Sequence, residues 1–299
     1  MKIYLIVITA IIMTTCASSN VSQNKGSFED LIIAGKDILF KDMTFTEDID
    51  FTQFEKNLIS EGVYQVRIAS SVTFQNCTFK GKVISYKKNE DGTLTLASFQ
   101  SNLSFIGCNF KNEVSFRGAS VFGRTDFTGS AFSKTASFEE CTFFQNAYFR
   151  ASNYHEEVRF QNAVFMQKAN FLNAEFDVTV SFQQAVFHSE AQFSSVKFIG
   201  YADFGLINCY GNFFANYAVF ANQAIFNNGF YNSQADFISI NFKQCEMKNC
   251  RFFGTTRFSK STVEEQFILE NSFFLLGLPD VSSFDQNKVS LAGIVAGGK

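Results

Sequence analysis

The sequence predicts an all-β solenoid built from short strands that follow an 11-residue repeat. Large side chains, mostly Phe, recur at alternating steps of five and six residues without a break from Phe105 to Phe204. The composition agrees, because 41 Phe with no Trp and a single Pro indicate one packing arrangement that is used many times. Neither the 3.6-residue period of an amphipathic helix nor the alternation of a long strand extends across this pattern.

The repeating element is a triplet in which a small or β-branched residue stands two places before a large one, as Ala174 does before Phe176. On an extended segment these two side chains point the same way, so each triplet sends one small and one large group inward. The polar spacer between triplets then turns a corner. The order inverts once, where Phe213 takes the small position and Ala215 the large one, an exchange that roughly keeps the core volume.

These triplets resemble the pentapeptide-repeat superfamily, in a Phe-centred variant with alternating five- and six-residue spacing. The resemblance covers most of the mature chain. It implies a right-handed quadrilateral parallel β-helix with four short faces per coil, and four faces of this chain sum to about 22 residues. The coils are then expected to stack at about 4.8 Å, with the Phe rings in ladders along the inside. Residues that are 22 apart, such as Phe176 and Phe198, belong to one ladder.

The N-terminus has the features of a signal peptide. Lys2 precedes an apolar run from Ile3 to Met13, which is about the length of a signal h-region and too short to span a bilayer. Cys16 then resembles the lipobox cysteine of bacterial lipoproteins, which implies that it is acylated and becomes the mature N-terminus. Met13 and Thr15 depart from that family's preference for Leu and for a small residue at these places.

The chain therefore divides into four predicted segments. We expect a signal peptide over residues 1–15, a lipid tether and lead-in over 16–36, and the solenoid over 37–276. Insertions interrupt the solenoid near 52–71 and 85–96, and residues 277–299 form a C-terminal cap or tail. Because Ala17 rather than Asp follows the cysteine, the sequence resembles lipoproteins sorted to an outer membrane; it indicates no side of that membrane.

The residues that carry catalytic or metal chemistry are few and badly placed for it. His155 and His188 are 33 residues apart, one and a half coils, and therefore lie on opposite sides of the column. Most of the seven Cys fall at core positions, which favours buried thiols over disulfides or zinc ligands. We find no nucleophile motif, phosphate loop or carboxylate pair. The sequence thus predicts no enzyme, no metal and no cofactor, and no small-molecule ligand is expected.

Three functions fit an exported solenoid to different degrees. We favour a non-catalytic scaffold of the bacterial cell envelope, anchored to a membrane by its lipid and binding a protein partner through one face. A carbohydrate-binding or carbohydrate-processing β-helix is the alternative. The resemblance also implies a third function, mimicry of DNA by a protein that binds a topoisomerase. We disfavour it because residues 101–258 carry 12 Lys and Arg against 12 Asp and Glu, and a DNA mimic needs a net negative surface. No nucleic-acid partner is expected.

One series of residues stands out from the polar surface. The residue after each core ring is expected to point outward at a corner, and most such places are polar or small. In the series at 22-residue spacing these residues are large, and we predict that they form a partner-binding line about 20 Å long. The line comprises Phe122, Phe144, Met166, His188 and Tyr210, with Tyr201, Phe213 and Tyr217 as flanking aromatics. The other interpretation is that these side chains only shield the corner or pack beneath the segment after Pro279.

Overall fold

The chain folds as a parallel β-solenoid with about 22 residues per turn, as predicted. A computed structural model describes residues 26–297. The predicted signal peptide and Cys16 lie outside the described residues. Strands, most of them two to four residues long, pair with the equivalent strands one coil away, so that four columns of strands form the faces of the solenoid. The predicted four-face coil is confirmed, and within residues 26–297 no helix is long and apolar enough to cross a bilayer.

Each face is a ladder of strands, and we number the faces in chain order. Face 1 comprises Ile38–Lys41, Val72–Gln75, Leu103–Ile106, Thr125–Asp126, Ala147–Tyr148, Ala169–Asn170, Ala191–Gln192, Phe213–Phe214, Ala235–Asp236 and Thr256–Arg257. Face 2 comprises Thr44–Phe45, Thr78–Phe79, Asn109–Phe110, Ala131–Phe132, Asn153–Tyr154, Glu175–Phe176 and Lys197–Phe198.

Faces 2 and 3 merge towards the C-terminal end, where single strands run across the corner between them. Face 3 comprises Ile49–Asp50, Val83–Ile84, Val114–Ser115, Ala136–Ser137, Val158–Arg159, Val180–Ser181, Ala202–Asp203 and Val289–Ser290. The strands shared by faces 2 and 3 are Val219–Ile225, Asn241–Glu246 and Thr262–Ile268. Face 4 comprises Lys56–Ser60, Val63–Ile68, Leu94–Phe99, Ser120–Val121, Thr142–Phe143, Val164–Phe165, Val186–Phe187, Asn208–Cys209, Phe230–Tyr231, Arg251–Phe252, Phe273–Phe274 and Val295–Ala296.

The rings stack inside the solenoid at the predicted 22-residue interval. On face 2, Phe176 lies 4.8 Å from Tyr154 and 5.4 Å from Phe198, centroid to centroid, with the ring planes within 5° of parallel. Rings of faces 1 and 3 meet edge to face across the core, as Phe171 and Phe182 do at 5.2 Å and 86°. Most rings of the regular coils thus have parallel partners along the axis and perpendicular partners across it, which are the two favourable geometries for aromatic pairs.

Two of the four corners are tight turns that require a left-handed backbone. Between faces 1 and 2, Asn173 has φ 59°, and between faces 3 and 4, Gln184 has φ 59°. This conformation is costly for most residues and least costly for Gly and Asn, which explains why the corner positions include Asn162, Gly118 and Gly129. The tight turns bring each triplet to the next face within five residues, whereas the other two corners use six.

The N-terminal end differs from the regular coils in two ways. A helix, α1 (Gly26–Ile33), covers the first coil with the buried side chains of Phe28 and Ile32. Beside it, two β-hairpins extend face 4 sideways where insertions were predicted; we call this extension the wing. It comprises Lys56–Ser60, Val63–Ile68, Tyr86–Lys88 and Leu94–Phe99. The sequence analysis did not predict α1 or the strands of the wing.

The C-terminal end is closed by an irregular last coil. A 21-residue coil precedes it, because one residue is missing at the corner after Phe242. Phe284 then stacks on Phe267 at 4.5 Å and is buried, so that its ring covers the end of the core. A short 3-10 helix, Gln286–Lys288, leads into the final strands.

Phe176→Ala is expected to reduce the free energy of unfolding by about 3–5 kcal/mol, the usual cost of removing a buried ring together with its cavity. Urea or guanidinium unfolding measures this loss. Val178→Ala is the matched control, because Val178 lies two residues away and is exposed. An equal effect of the two substitutions would contradict the ring ladder.

The exchange of Phe213 and Ala215 gives a second test of the core. Phe213 lies 5.5 Å from both Phe193 and Phe237, which occupy the ring position one coil below and above it. Phe213→Ala alone should cost about 3–5 kcal/mol. Phe213→Ala combined with Ala215→Phe should recover most of that loss, because the second ring then stands in the regular ladder. Denaturant unfolding of the wild type, the single variant and the double variant measures these free energies. A double variant as unstable as the single one would show that the two positions are not interchangeable.

An aromatic stripe as the candidate functional site

The five large residues predicted to form a line all lie at the corner where face 4 passes into face 1. Each follows the buried, inward-pointing residue that ends its face 4 strand, and its N–H donates to the carbonyl of the equivalent buried residue one coil earlier. Phe144 N–H donates to Val121 at 2.9 Å, and Tyr210 N–H donates to Phe187 at 2.8 Å. This repeated hydrogen bond places one such residue per coil. We call Phe122, Phe144, Met166, His188 and Tyr210 the stripe.

The stripe is open to solvent within the described residues. Phe122 is 43%, Met166 37% and Tyr210 46% exposed, and Phe144 is half-buried. Phe122 and Phe144 stack at 4.3 Å with an interplanar angle of 6°, and His188 and Tyr210 stack at 5.2 Å and 8°. Because the stacked partner lies one coil away along the axis, these rings turn their faces towards each other and their edges outward.

The apolar surface extends beyond the predicted stripe towards the C-terminal end. Phe230 lies 5.8 Å from Tyr210, Phe253 lies 5.4 Å from Phe230, and Phe273 lies 5.9 Å from Phe253. Leu275 follows at the stripe position of the next coil and is exposed. We call these four residues the stripe extension. The 22-residue series reaches the polar Asn232 after Tyr210, and the 21-residue coil then moves Phe253 and Leu275 one place out of the series. Phe230 and Phe273 lie on the face 4 strands beside the corner, so the spacing did not reveal them either. The signal was the break in the five–six alternation after Phe242.

Charged groups beside the stripe are paired. On the face 1 side, Lys168 Nζ lies 2.7 Å from a Glu190 carboxylate oxygen. Arg124 binds the buried Asp126 and also lies 4.4 Å from the centroid of the Tyr148 ring. The stripe therefore runs beside a neutralised polar border, the usual surroundings of an apolar docking surface.

The three predicted flanking aromatics do not belong to this surface. Phe213 is buried in the core at 1% exposure, because it occupies the inward small position of face 1. Tyr201 lies at the corner between faces 2 and 3, and Tyr217 lies at the tight corner between faces 1 and 2. The prediction was wrong because it counted aromatic residues near Tyr210 along the chain without assigning each to its corner.

The remaining chemistry-bearing residues do not meet in a site. His155 lies at the corner between faces 2 and 3, where its Nδ1 is 2.7 Å from Asp177, whereas His188 belongs to the stripe on the other side of the column. Burial raises the pKa of Cys250 to about 12 and raises that of Cys141 further, so these groups remain thiols at neutral pH. Among residues 26–297, no group of three or more His, Cys, Asp or Glu is arranged to hold a metal ion.

No curated protein matches the chain. A trypsin-treated variant of QnrB1, described as a plasmid-mediated fluoroquinolone resistance protein, is similar over 66% of this chain and 91% of its own, with 16% identity and a TM-score of 0.20.

A family model described as pentapeptide repeats (9 copies) matches in four overlapping segments, 94–142, 105–153, 138–185 and 160–206. These segments coincide with the regular coils, in which the triplets and the stacked rings repeat without a break. Together the segments span residues 94–206, and over this part of the chain the resemblance noted in the sequence is confirmed: these coils are pentapeptide repeats.

Proposed function

We propose that this protein is a non-catalytic scaffold of the bacterial cell envelope, exported and lipidated at Cys16, which binds a protein partner along the stripe. The observation that carries the proposal is the line of exposed and half-buried, mostly apolar side chains at one corner, in which, apart from His188, only the coil of Asn232 has a polar residue at the stripe position. From Phe122 to Leu275 the line spans seven coil steps of about 4.8 Å, roughly 34 Å.

An exposed line of this kind favours a binding role because water contact with apolar surface is unfavourable. Burial of apolar surface contributes about 25 cal/mol per Å², so four rings and Met166 on five neighbouring coils leave a sizeable free energy available to a partner. Contiguous apolar patches on monomers commonly mark interaction sites, and aromatic residues are enriched among those that dominate binding. The paired charges on the face 1 side keep that border of the surface neutral.

Ring orientation favours a protein over a carbohydrate as the partner. Sugars stack on the open face of an aromatic ring, and the faces of Phe122 and Phe144 are already occupied by each other at 4.3 Å. His188 and Tyr210 occupy each other in the same way. The outward ring edges carry the positive end of the ring quadrupole and suit carbonyl oxygens or aromatic faces of a protein partner.

Export and lipidation rest on the sequence. Lys2, the apolar run of residues 3–13 and Cys16 have the order of a lipoprotein signal, and Ala17–Lys25 is small and polar, as a tether would be. A chain held in this way would present the stripe to envelope proteins rather than to cytosolic ones.

Lipidation is tested by mass spectrometry of the protein purified from membranes. We expect the mature chain to begin at Cys16 and to carry acyl groups, and Cys16→Ser to leave the protein unprocessed and without lipid. A mature chain with an unmodified Cys16, or one cleaved after it, would refute lipidation and leave export standing.

Partner binding is tested by a triple variant with Phe144, Met166 and Tyr210 each replaced by Ser. Because these side chains are exposed or half-buried, the variant should fold, with the far-ultraviolet spectrum and melting temperature of the wild type. It should lose the envelope protein that is cross-linked to the wild type in living cells.

The matched control carries Ser at three equally apolar positions away from the stripe, Val178, Ile199 and Leu206, each 42% exposed. It should cross-link the same partner as the wild type. If the stripe variant retains the partner at wild-type yield, or if the control loses it as well, the stripe is not the binding surface.

A further inference from the structure

A second group of exposed apolar side chains lies at the N-terminal end of the solenoid, away from the stripe. Ile33 of α1 is 76% exposed, and Leu58 and Ile59 of the wing are 62% and 53% exposed. The three come from two separate elements at one end of the molecule. We infer that this end contacts a lipid bilayer, with Ile33, Leu58 and Ile59 inserted among the headgroups; the inference rests on the proposed lipid anchor.

The two elements are fixed against each other. Phe28 of α1 packs its ring 6.3 Å from Phe54, in the segment that leads into the wing. Gln53 of the same segment donates a hydrogen bond from Nε2 to Glu29 at 3.1 Å. α1 and the start of the wing therefore form one surface rather than two independent loops.

The outermost strand of the wing is open to the surroundings on both of its faces. Lys56–Ser60 is the edge strand of face 4 and pairs only with Val63–Ile68, and all five of its residues are exposed. Side chains of a strand alternate between two faces, so Leu58 and Ile59 belong to opposite faces unless the register shift between Leu58 and Ser60 re-aims one of them. Because neither face is covered, both side chains are available to the surroundings at this end.

The position of the chain before α1 favours lipid over other occupants. α1 begins at Gly26, and nine residues separate it from Cys16. Even fully extended, nine residues at about 3.3–3.6 Å each reach roughly 32 Å, so a lipid on Cys16 holds this end near the membrane surface. An extended peptide could add to the free edge of Lys56–Ser60, but it would leave Ile33 on α1 uncovered.

The contact is apolar rather than electrostatic. Residues 26–62 carry nine acidic side chains and three Lys, which gives this end no net attraction for anionic headgroups. A single acyl chain gives a protein only marginal affinity for a membrane. Insertion of a few aliphatic side chains at the headgroup boundary adds to that affinity. The solenoid would then stand on the membrane with the stripe extension at the far end.

The test uses the lipidated full-length protein in phosphatidylcholine vesicles whose acyl chains are brominated. Ile59→Cys is labelled with an environment-sensitive fluorophore, and Leu206→Cys, exposed at 42% on a middle coil, is the matched control. The described native cysteines are buried, so labelling is selective for the introduced thiol. For the fluorophore at position 59 we expect a blue shift and quenching of most of its emission by the brominated acyl chains. For the fluorophore at position 206 we expect neither change. Both results should be the same at high salt.

The outcomes separate the inference from the proposed anchor. If the protein floats with the vesicles and the probe at position 59 is unquenched, the anchor stands and the bilayer contact is refuted. This result is also expected if the free edge of the wing binds a peptide strand instead of lipid. If the chain has no lipid on Cys16 and does not float, the proposed anchor fails and the inference falls with it. Equal quenching at Ile59 and Leu206 would show that the rod lies flat, which also refutes an end-on contact.

Discussion

Parallel stacking of one aromatic ring on the next, coil after coil, is the interaction on which the rest of this structure depends. Along face 3, Phe160, Phe182 and Phe204 follow one another at 4.8 and 4.9 Å, close to the spacing of strands in a sheet. Rings and backbone therefore repeat at the same distance, and neither has to distort to suit the other. The small residue two places earlier leaves room for the ring that comes from the opposite face. A coil of a different size would break both the backbone ladder and the ring ladder, so the cross-section stays constant through most of the chain.

A constant cross-section turns the outer surface into a set of lines. Residues 22 apart stand one above the other, so charges pair between coils, as Glu175 and Lys197 do at 3.0 Å and Lys168 and Glu190 do at 2.7 Å. Each such exposed pair contributes little to stability, but the pairing removes isolated charges from the surface. The stripe arises in the same way, because one corner position repeats with large side chains instead of polar ones. A binding surface on this fold is accordingly linear, and its length is set by the number of coils that keep the same residue class at that position.

The regular coils could be predicted from the sequence because their pattern repeats often enough to be read directly. Phe132, Tyr154 and Phe176 were assigned to one ladder by spacing alone, and they stack as expected. α1 and the wing occur once each, so no repetition in the sequence indicates them. In the wing, Val66 and Ile68 pair with Ala97 and Phe99 on face 4, but the separation along the chain is 31 residues instead of 22. The stripe was found as far as Tyr210 and then lost, because the next position in the series is the polar Asn232 and the 21-residue coil then moves Phe253 by one place. Assigning Phe213 to the surface failed for a simpler reason, since neighbours in sequence occupy different faces of a solenoid.

The size of the stripe bears on what a partner must do to bind it. A line of roughly 34 Å by 10 Å offers about 340 Å², well below the roughly 800 Å² per partner of a standard stable interface. A partner that binds firmly must therefore also cover the neighbouring outward positions of face 4. Two of these, Val164 and Val186, are aliphatic and half-buried, and both lie beside Met166 and His188 at the middle of the stripe. The aromatic line would then act as the centre of a wider surface, and the flat outer side of face 4, rather than a pocket, would determine the shape that the partner has to match.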